Sequence, residues 1–195
     1  MRTIVLDLET KKLFHEVDRG RHEKLGVSVL GLWDSSTGQE RDSLKAFFEA
    51  ELSQAWPILE VADLLVGFNI KKFDLPVLSA YYPGDLAKFP VFDLLDAVKE
   101  GLGFRLKLDD LAKATLGRGK TGTGLDAYRF FQQGKLAELK NYCLADVAIT
   151  RDLYFHAVKH RHLKYFDLGN VLREIPIKIE QHLPKKSEQQ MSLGV

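Results

Sequence analysis

Arg2-Thr3-Ile4-Val5-Leu6-Asp7-Leu8-Glu9-Thr10 is the stretch from which the rest of this sequence is read. A short apolar run rich in β-branched residues reads as a buried strand. Two acids stand at its C-terminal end. Strand side chains alternate, so Asp7 and Glu9 point to one face while Ile4, Leu6 and Leu8 point to the other. Paired like charges at a strand end demand either a raised pKa or a cation between them. Hard carboxylate oxygens select Mg²⁺ or Mn²⁺ over a soft metal. A strand simply running out into a polar loop would also leave acids here, so the other residues must decide.

The chain has 195 residues, enough for one α/β domain with its own core. Lys and Arg total 28 against 27 Asp and Glu, a formal net charge of +1. That balance neither announces a nucleic-acid binder nor excludes one whose substrate channel is basic locally. Cys143 is the sole cysteine, which excludes a disulfide framework and a thiolate metal site. The first apolar run is too short for a signal peptide and ends in acids. No apolar stretch approaches the ~20 residues of a membrane helix. The expectation is a soluble, cytoplasmic protein.

After the first strand, Lys11 to Lys24 is polar and charged; it reads as a loop, with His15, Glu16 and His22 solvated rather than ligating. Leu25 to Trp33 alternates as a second strand. A short third strand is expected around Gln39 to Arg41. Asp42 or Ser43 is expected to cap a helix through Trp56, with Leu44, Phe47, Phe48 and Leu52 on one face. Pro57 starts a short helix. Leu64 to Phe68 is a buried strand, followed by a helix around Leu75 to Tyr81. Pro90 to Asp93 is a short parallel strand. Helices follow over 94–100, 108–116, 125–133 and 136–160, with Gly117 to Gly124 a glycine-rich basic loop. Arg173 to Glu180 alternates around Pro176 as a terminal edge strand. The expected fold is α/β, a mixed central sheet flanked by helices, with one domain over 1–183 and a flexible polar tail over 184–195.

Two further acids attract notice. Asp74 opens a helix after the Gly67–Asn69 strand end, a position that also suits a simple cap. Asp146 shares a helical face with Tyr142, Ile149 and Leu153 at i, i+4, i+7 and i+11. An acid on an apolar stripe is costly unless paired or bound to a metal. Tyr142 sits one turn before it.

In order, these are Asp-x-Glu on the first strand, Asn69-x-x-x-Phe73-Asp74 after an inner strand, and Tyr142-x-x-x-Asp146 on a late helix. The set resembles the DEDD superfamily of 3′→5′ exonucleases, built on the ribonuclease H-like (DnaQ-like) fold. Its Tyr-x-x-x-Asp element is similar to the DEDDy branch, which includes family B DNA polymerase proofreading domains and stand-alone bacterial relatives. The histidine branch would place His at 141, where this chain has Asn141. The resemblance covers about Thr3 to Leu153. It implies that Asp7, Glu9 and Asp146 hold one divalent ion, with Asp7 bridging to a second ion supported by Asp74. It implies that Tyr142 orients the attacking water. Asn69 and Phe73 would lie near the terminal nucleotide, with Thr10 and the backbone of Leu8 at the 3′ end. Two Mg²⁺ or Mn²⁺ ions suit phosphodiester hydrolysis on general grounds as well, since they can stabilise both attacking and leaving oxygens.

Ala114 to Thr121 loosely matches a phosphate-binding loop, but it follows a helix instead of a strand. A better reading puts Arg118 and Lys120 on a basic loop against the nucleic-acid backbone, with Arg105 and Lys107 on the same rim. His156, His160 and His162 read as a basic helix end. Gln189 to Val195 (Gln-Gln-Met-Ser-Leu-Gly-Val) is similar to the short peptides by which bacterial replication and repair proteins bind the sliding clamp, though it has no aromatic after Leu193. Expected partners are therefore single-stranded or 3′-ended nucleic acid and a clamp. Alternatives for the domain are a catalytically silent nucleic-acid-binding module, an exoribonuclease, or a phosphohydrolase of small nucleotides.

Overall fold

Thr3–Thr10 forms β1, the middle strand of a five-stranded sheet with order β3-β2-β1-β4-β5. The computed structural model describes residues 1–37, 44–120 and 122–179. β2 (Val27–Asp34) runs antiparallel to β1, and β3 (Leu44–Phe48) antiparallel to β2. α1 (Trp56–Glu60) leads into β4 (Leu64–Gly67), which pairs in parallel with β1. α2 (Asp74–Leu78) leads to β5 (Val91–Asp93), parallel to β4. The sheet is mixed, and its sense changes at β1.

Alternation along β1 divides the core. Ile4, Leu6 and Leu8 pack on one face with Leu30, Leu59, Ile70 and Val77. Val5 faces the other side with Val98, Leu111, Val147 and Leu153. The helices on that side are α3 (Leu94–Leu102), α4 (Leu108–Leu116) and the long α6 (Leu136–His160); α5 (Gly124–Gln132) packs near the start of α6 through Ala127 and Leu139. α3 and α4 both end in a left-handed glycine, Gly103 and Gly117, whose N–H closes the last turn. α4 thus precedes the glycine-rich loop, which is the wrong context for an ATP-binding loop.

Two sequence expectations change. Residues Leu44 to Phe48 are a strand, not the start of a helix to Trp56; a 3₁₀ segment (Glu49–Gln54) and α1 follow. Leu44, Phe47 and Phe48 satisfy a helical spacing, but aromatic residues also suit a pleated surface, and the edge of β2 supplies hydrogen bonds that an isolated short helix lacks. The strand expected at Gln39 to Arg41 lies outside the described residues. So do Glu180 and the tail with Gln189 to Val195. The late strand β7 (Leu172–Pro176) does not join the main sheet: it pairs antiparallel with β6 (His162–Phe166), a strand the sequence reading missed, and both pack beside α3 and α4. No helix among the described residues is long and apolar enough to cross a membrane.

Candidate active site

β4 pairs with β1 only from Thr3 to Val5, so the second half of β1 has an open edge on that side. α2 fills the gap. The buried Asp74 carboxylate accepts the Leu8 N–H through Oδ1 at 3.0 Å. This fixes Asp74 beside the two acids of β1. The Leu8 N–H is thereby committed to Asp74, which leaves the Leu8 carbonyl as the backbone group of that residue to meet a nucleotide.

α6 closes the other side. Gly31 of β2 stands opposite Asp7 in the register, and a side chain there would meet Cys143 Sγ and Val147 Cγ2, each at 2.9 Å. The bare glycine lets α6 lie close on the sheet, and the Cys143 thiol donates to the Asp7 carbonyl at 3.4 Å. Tyr142 and Asp146, one turn apart and both buried, then face β1. Asp7, Glu9 and Asp146 each bring a carboxylate oxygen within 4.8 Å of the others, the one such grouping of metal-ligating side chains among the described residues. Asp74 is the electrostatic neighbour of this trio rather than a member of it.

The charges are costly. Burial, with the charges of Asp146, Asp74 and Glu9 added, holds the Asp7 carboxyl well above the usual range. Burial and Asp146 push Glu9 up to about 8. Burial pushes Asp74 up to about 7, although the N–H groups of Leu8 and of its own backbone pull it down. Asp7 Oδ2 is fully buried with no hydrogen-bond partner, as is the Tyr142 hydroxyl. An orphaned carboxylate oxygen inside a cage of acids is what a divalent cation would satisfy, and three hard oxygen donors suit Mg²⁺ or Mn²⁺. The residues present fit the ions expected from the sequence.

Lys120 supplies the compensation the sequence reading did not anticipate. Its ammonium does not lie on an open rim. It forms an ion pair with Asp146 and sits 5.3 Å from the centre of the Tyr142 ring. Burial disfavours its charge, but Asp146 and Asp7 outweigh that and raise its pKa. Asp146 stays raised by burial even with this partner. The Lys120 N–H donates to Asp109 Oδ1 at 2.8 Å, tying the loop to the first turn of α4. Arg118 turns the other way and pairs with Asp152 of α6. Arg118 and Lys120 share a charge and a loop, but the fold separates them because each meets a different acid.

A cleft of about 670 Å³ opens over Asp7, lined by Asn69, Arg105, Lys107, Asp109 and Lys120 among others. Asn69 adopts a left-handed backbone (φ 65°), and its side-chain oxygen accepts from Arg105 at 3.2 Å. The turn is held by Asp93, which accepts the N–H groups of Asn69 (2.9 Å), Lys71 (3.1 Å) and Leu95 (3.0 Å) while capping α3. Asp93 was not singled out from the sequence; an acid between a strand and an apolar helical run was the available signal. The Phe73 ring packs tilted against the exposed Phe14 at 5.5 Å and edge-on to His22 at 6.1 Å, both from the loop after β1. Thr10 bonds the Lys12 carbonyl at 2.8 Å. His156, His160 and His162 do gather, with ring centres 4.4 to 6.0 Å apart, but toward the far end of α6.

The sequence model described as "RNase_H superfamily" (RNase_H_2) matches residues 4–158. No curated protein matches the chain. Among solved structures, the family B DNA polymerase from the hyperthermophilic archaeon Pyrobaculum calidifontis superposes with a TM-score of 0.60 at 18% identity, over 80% of this chain and 24% of that one. The zinc-bound form of the E. coli ExoI–ssDNA complex superposes with a TM-score of 0.43 at 15% identity, over 82% of this chain and 43% of that one. The chain therefore spans less than half the length of either structure.

Proposed function

The chain belongs to the RNase H superfamily, and from that premise we propose that it is a metal-dependent nuclease removing nucleotides from the 3′ end of nucleic acid, with DNA as the favoured substrate. The observation that carries the reading is the convergence of Asp7, Glu9 and Asp146 around an unpartnered buried oxygen, with the Tyr142 hydroxyl buried beside them and equally without a partner. Asp7, Glu9 and Asp146 would hold one divalent ion, and Asp74 with Asp7 a second. When bound, such ions lower the pKa of a water and stabilise charge on the departing oxygen.

The chain's own side chains do the rest. Burial raises the Tyr142 pKa, so its phenol keeps its proton and can hold a water by one hydrogen bond. Asp74 is itself fixed by Leu8, which keeps the second half of the acid set rigid. Asn69, held in its turn by Asp93, faces the cleft where a terminal nucleotide would sit. Arg105 and Lys107 line the same cleft and can meet phosphates. The exposed Phe14 ring, packed against Phe73, offers an apolar face to a base. The 3′→5′ direction and the DEDDy assignment rest on the order and spacing of the three motifs.

The test is digestion of matched single-stranded DNA, single-stranded RNA and recessed duplex, each labelled at the 5′ end, with Mg²⁺ or Mn²⁺. Expected is a ladder shortening from the 3′ end, absent with EDTA and in Asp146→Asn. Release of internal fragments first, or full activity of Asp146→Asn, would overturn the reading.

A further inference from the structure

Lys120 is the one cation that forms an ion pair with the acid trio among the described residues, and it forms it with Asp146, an intended metal ligand. Its surroundings hold it there. The Lys120 N–H is anchored by Asp109, and Thr123 is held by Asp126, whose Oδ2 accepts both its N–H and its hydroxyl at 2.8 Å. Gly119 packs so tightly on Asp109 and Lys113 that an added Cβ would collide with both. Gly122 lies against the Tyr142 ring. Gly119 and Gly122 thus lie against α4 and α6, and the lysine side chain, only 21% exposed, reaches inward along the aromatic face.

A cation and an ammonium cannot share the same oxygens without mutual repulsion. At short range in a partly buried site that repulsion is large. We infer that Lys120 is a built-in competitor of the divalent ion: a metal gains Asp146 only as the ammonium releases it, so this side chain sets the metal affinity of the site. The released ammonium would remain at the cleft, where it lines the wall and can pair with a substrate phosphate. Metal and nucleic acid would then reinforce one another, because each removes a reason for Lys120 to stay on Asp146. This rests on the metal reading above.

Two measurements test it. The first titrates Mn²⁺ by calorimetry at pH 8.5 into the wild type, Lys120→Met, which keeps the stem without charge, and Lys120→Arg. Expected is binding at least about tenfold tighter in Lys120→Met, with Lys120→Arg near the wild type. Equal or weaker binding in folded Lys120→Met overturns the inference while leaving the metal site in place. No binding in any of the three overturns the metal reading together with it. The second measurement needs no variant: amine acylation of the wild-type protein, read by mass spectrometry. Mg²⁺ is expected to raise labelling of Lys120 several-fold and to leave Lys140 and Lys159 unchanged. Unchanged labelling of Lys120 under saturating Mg²⁺ overturns the exchange.

Discussion

Gly31 on β2 stands directly across the sheet from Asp7 on β1, and the space where its side chain would be is filled by Cys143 and Val147 of α6. The closeness of α6 to β1 is therefore set by a residue that has no side chain. Gly31→Ala should push α6 outward, cost roughly 1–3 kcal/mol of stability as an overpacked contact, and weaken Mn²⁺ binding by separating Asp146 from Asp7. Thermal melts with and without Mn²⁺ check this; a variant melting like the wild type in both would show that the helix has room to spare.

Tyr142→Phe separates fold from chemistry. Its hydroxyl is buried without a partner, a condition that generally costs about 1–3 kcal/mol. Removing it should leave the metal-free protein as stable as before or slightly more so. The digestion rate should nevertheless fall roughly tenfold to a hundredfold, toward the low end of what a positioned proton partner contributes. An unchanged rate would remove Tyr142 from the mechanism.

The metal-free protein should lose stability as pH rises. Glu9 is held at about 8 in the fold against 4.5 when unperturbed, and Asp74 at about 7 against 3.8. The folded state thus keeps protons that the unfolded chain has released, so the stability these groups allow is fully present below their unfolded values and declines up to the folded ones. In EDTA the melting temperature should fall between pH 5 and 8. With Mg²⁺ or Mn²⁺ the slope should flatten or reverse, because the ions bind only the deprotonated acids. Parallel melts across that range, with and without metal, give the comparison; identical slopes would mean that the ions bind elsewhere.

Asp93→Ala should damage the site from outside it. The variant loses the acceptor for the Asn69, Lys71 and Leu95 N–H groups, and with it the cap of α3. A cost of about 1–3 kcal/mol is expected. The left-handed Asn69 would relax, so the KM for an oligonucleotide should rise more than kcat falls. The opposite split would place Asp93 closer to the chemistry than its hydrogen bonds indicate.

Much of this arrangement could be read from the chain because it depends on local periodicity. Alternation along Ile4 to Glu9 sorts apolar and acidic side chains onto opposite faces, and the i, i+4 spacing of Tyr142 and Asp146 survives folding unchanged. What could not be read depends on partners distant in sequence. Leu44 to Phe48 becomes a strand only because β2 has an edge to offer. His162 to Phe166 becomes one only because Leu172 to Pro176 folds back on it. Lys120 looked like a surface cation in a glycine-rich loop, and nothing near it in sequence points to Asp146. Asp93 and Gly31 serve geometry rather than chemistry, so no motif marks them.

The acids that converge on one point come from widely separated parts of the chain, and this bears on how the molecule is made. Asp7 and Glu9 are made before Asp74, and Asp146 arrives only when α6 is complete. A nascent chain should therefore stay blind to divalent ions until α6 has been released and laid across the sheet. On the metal reading, cation affinity would then report that β1 and α6 have met.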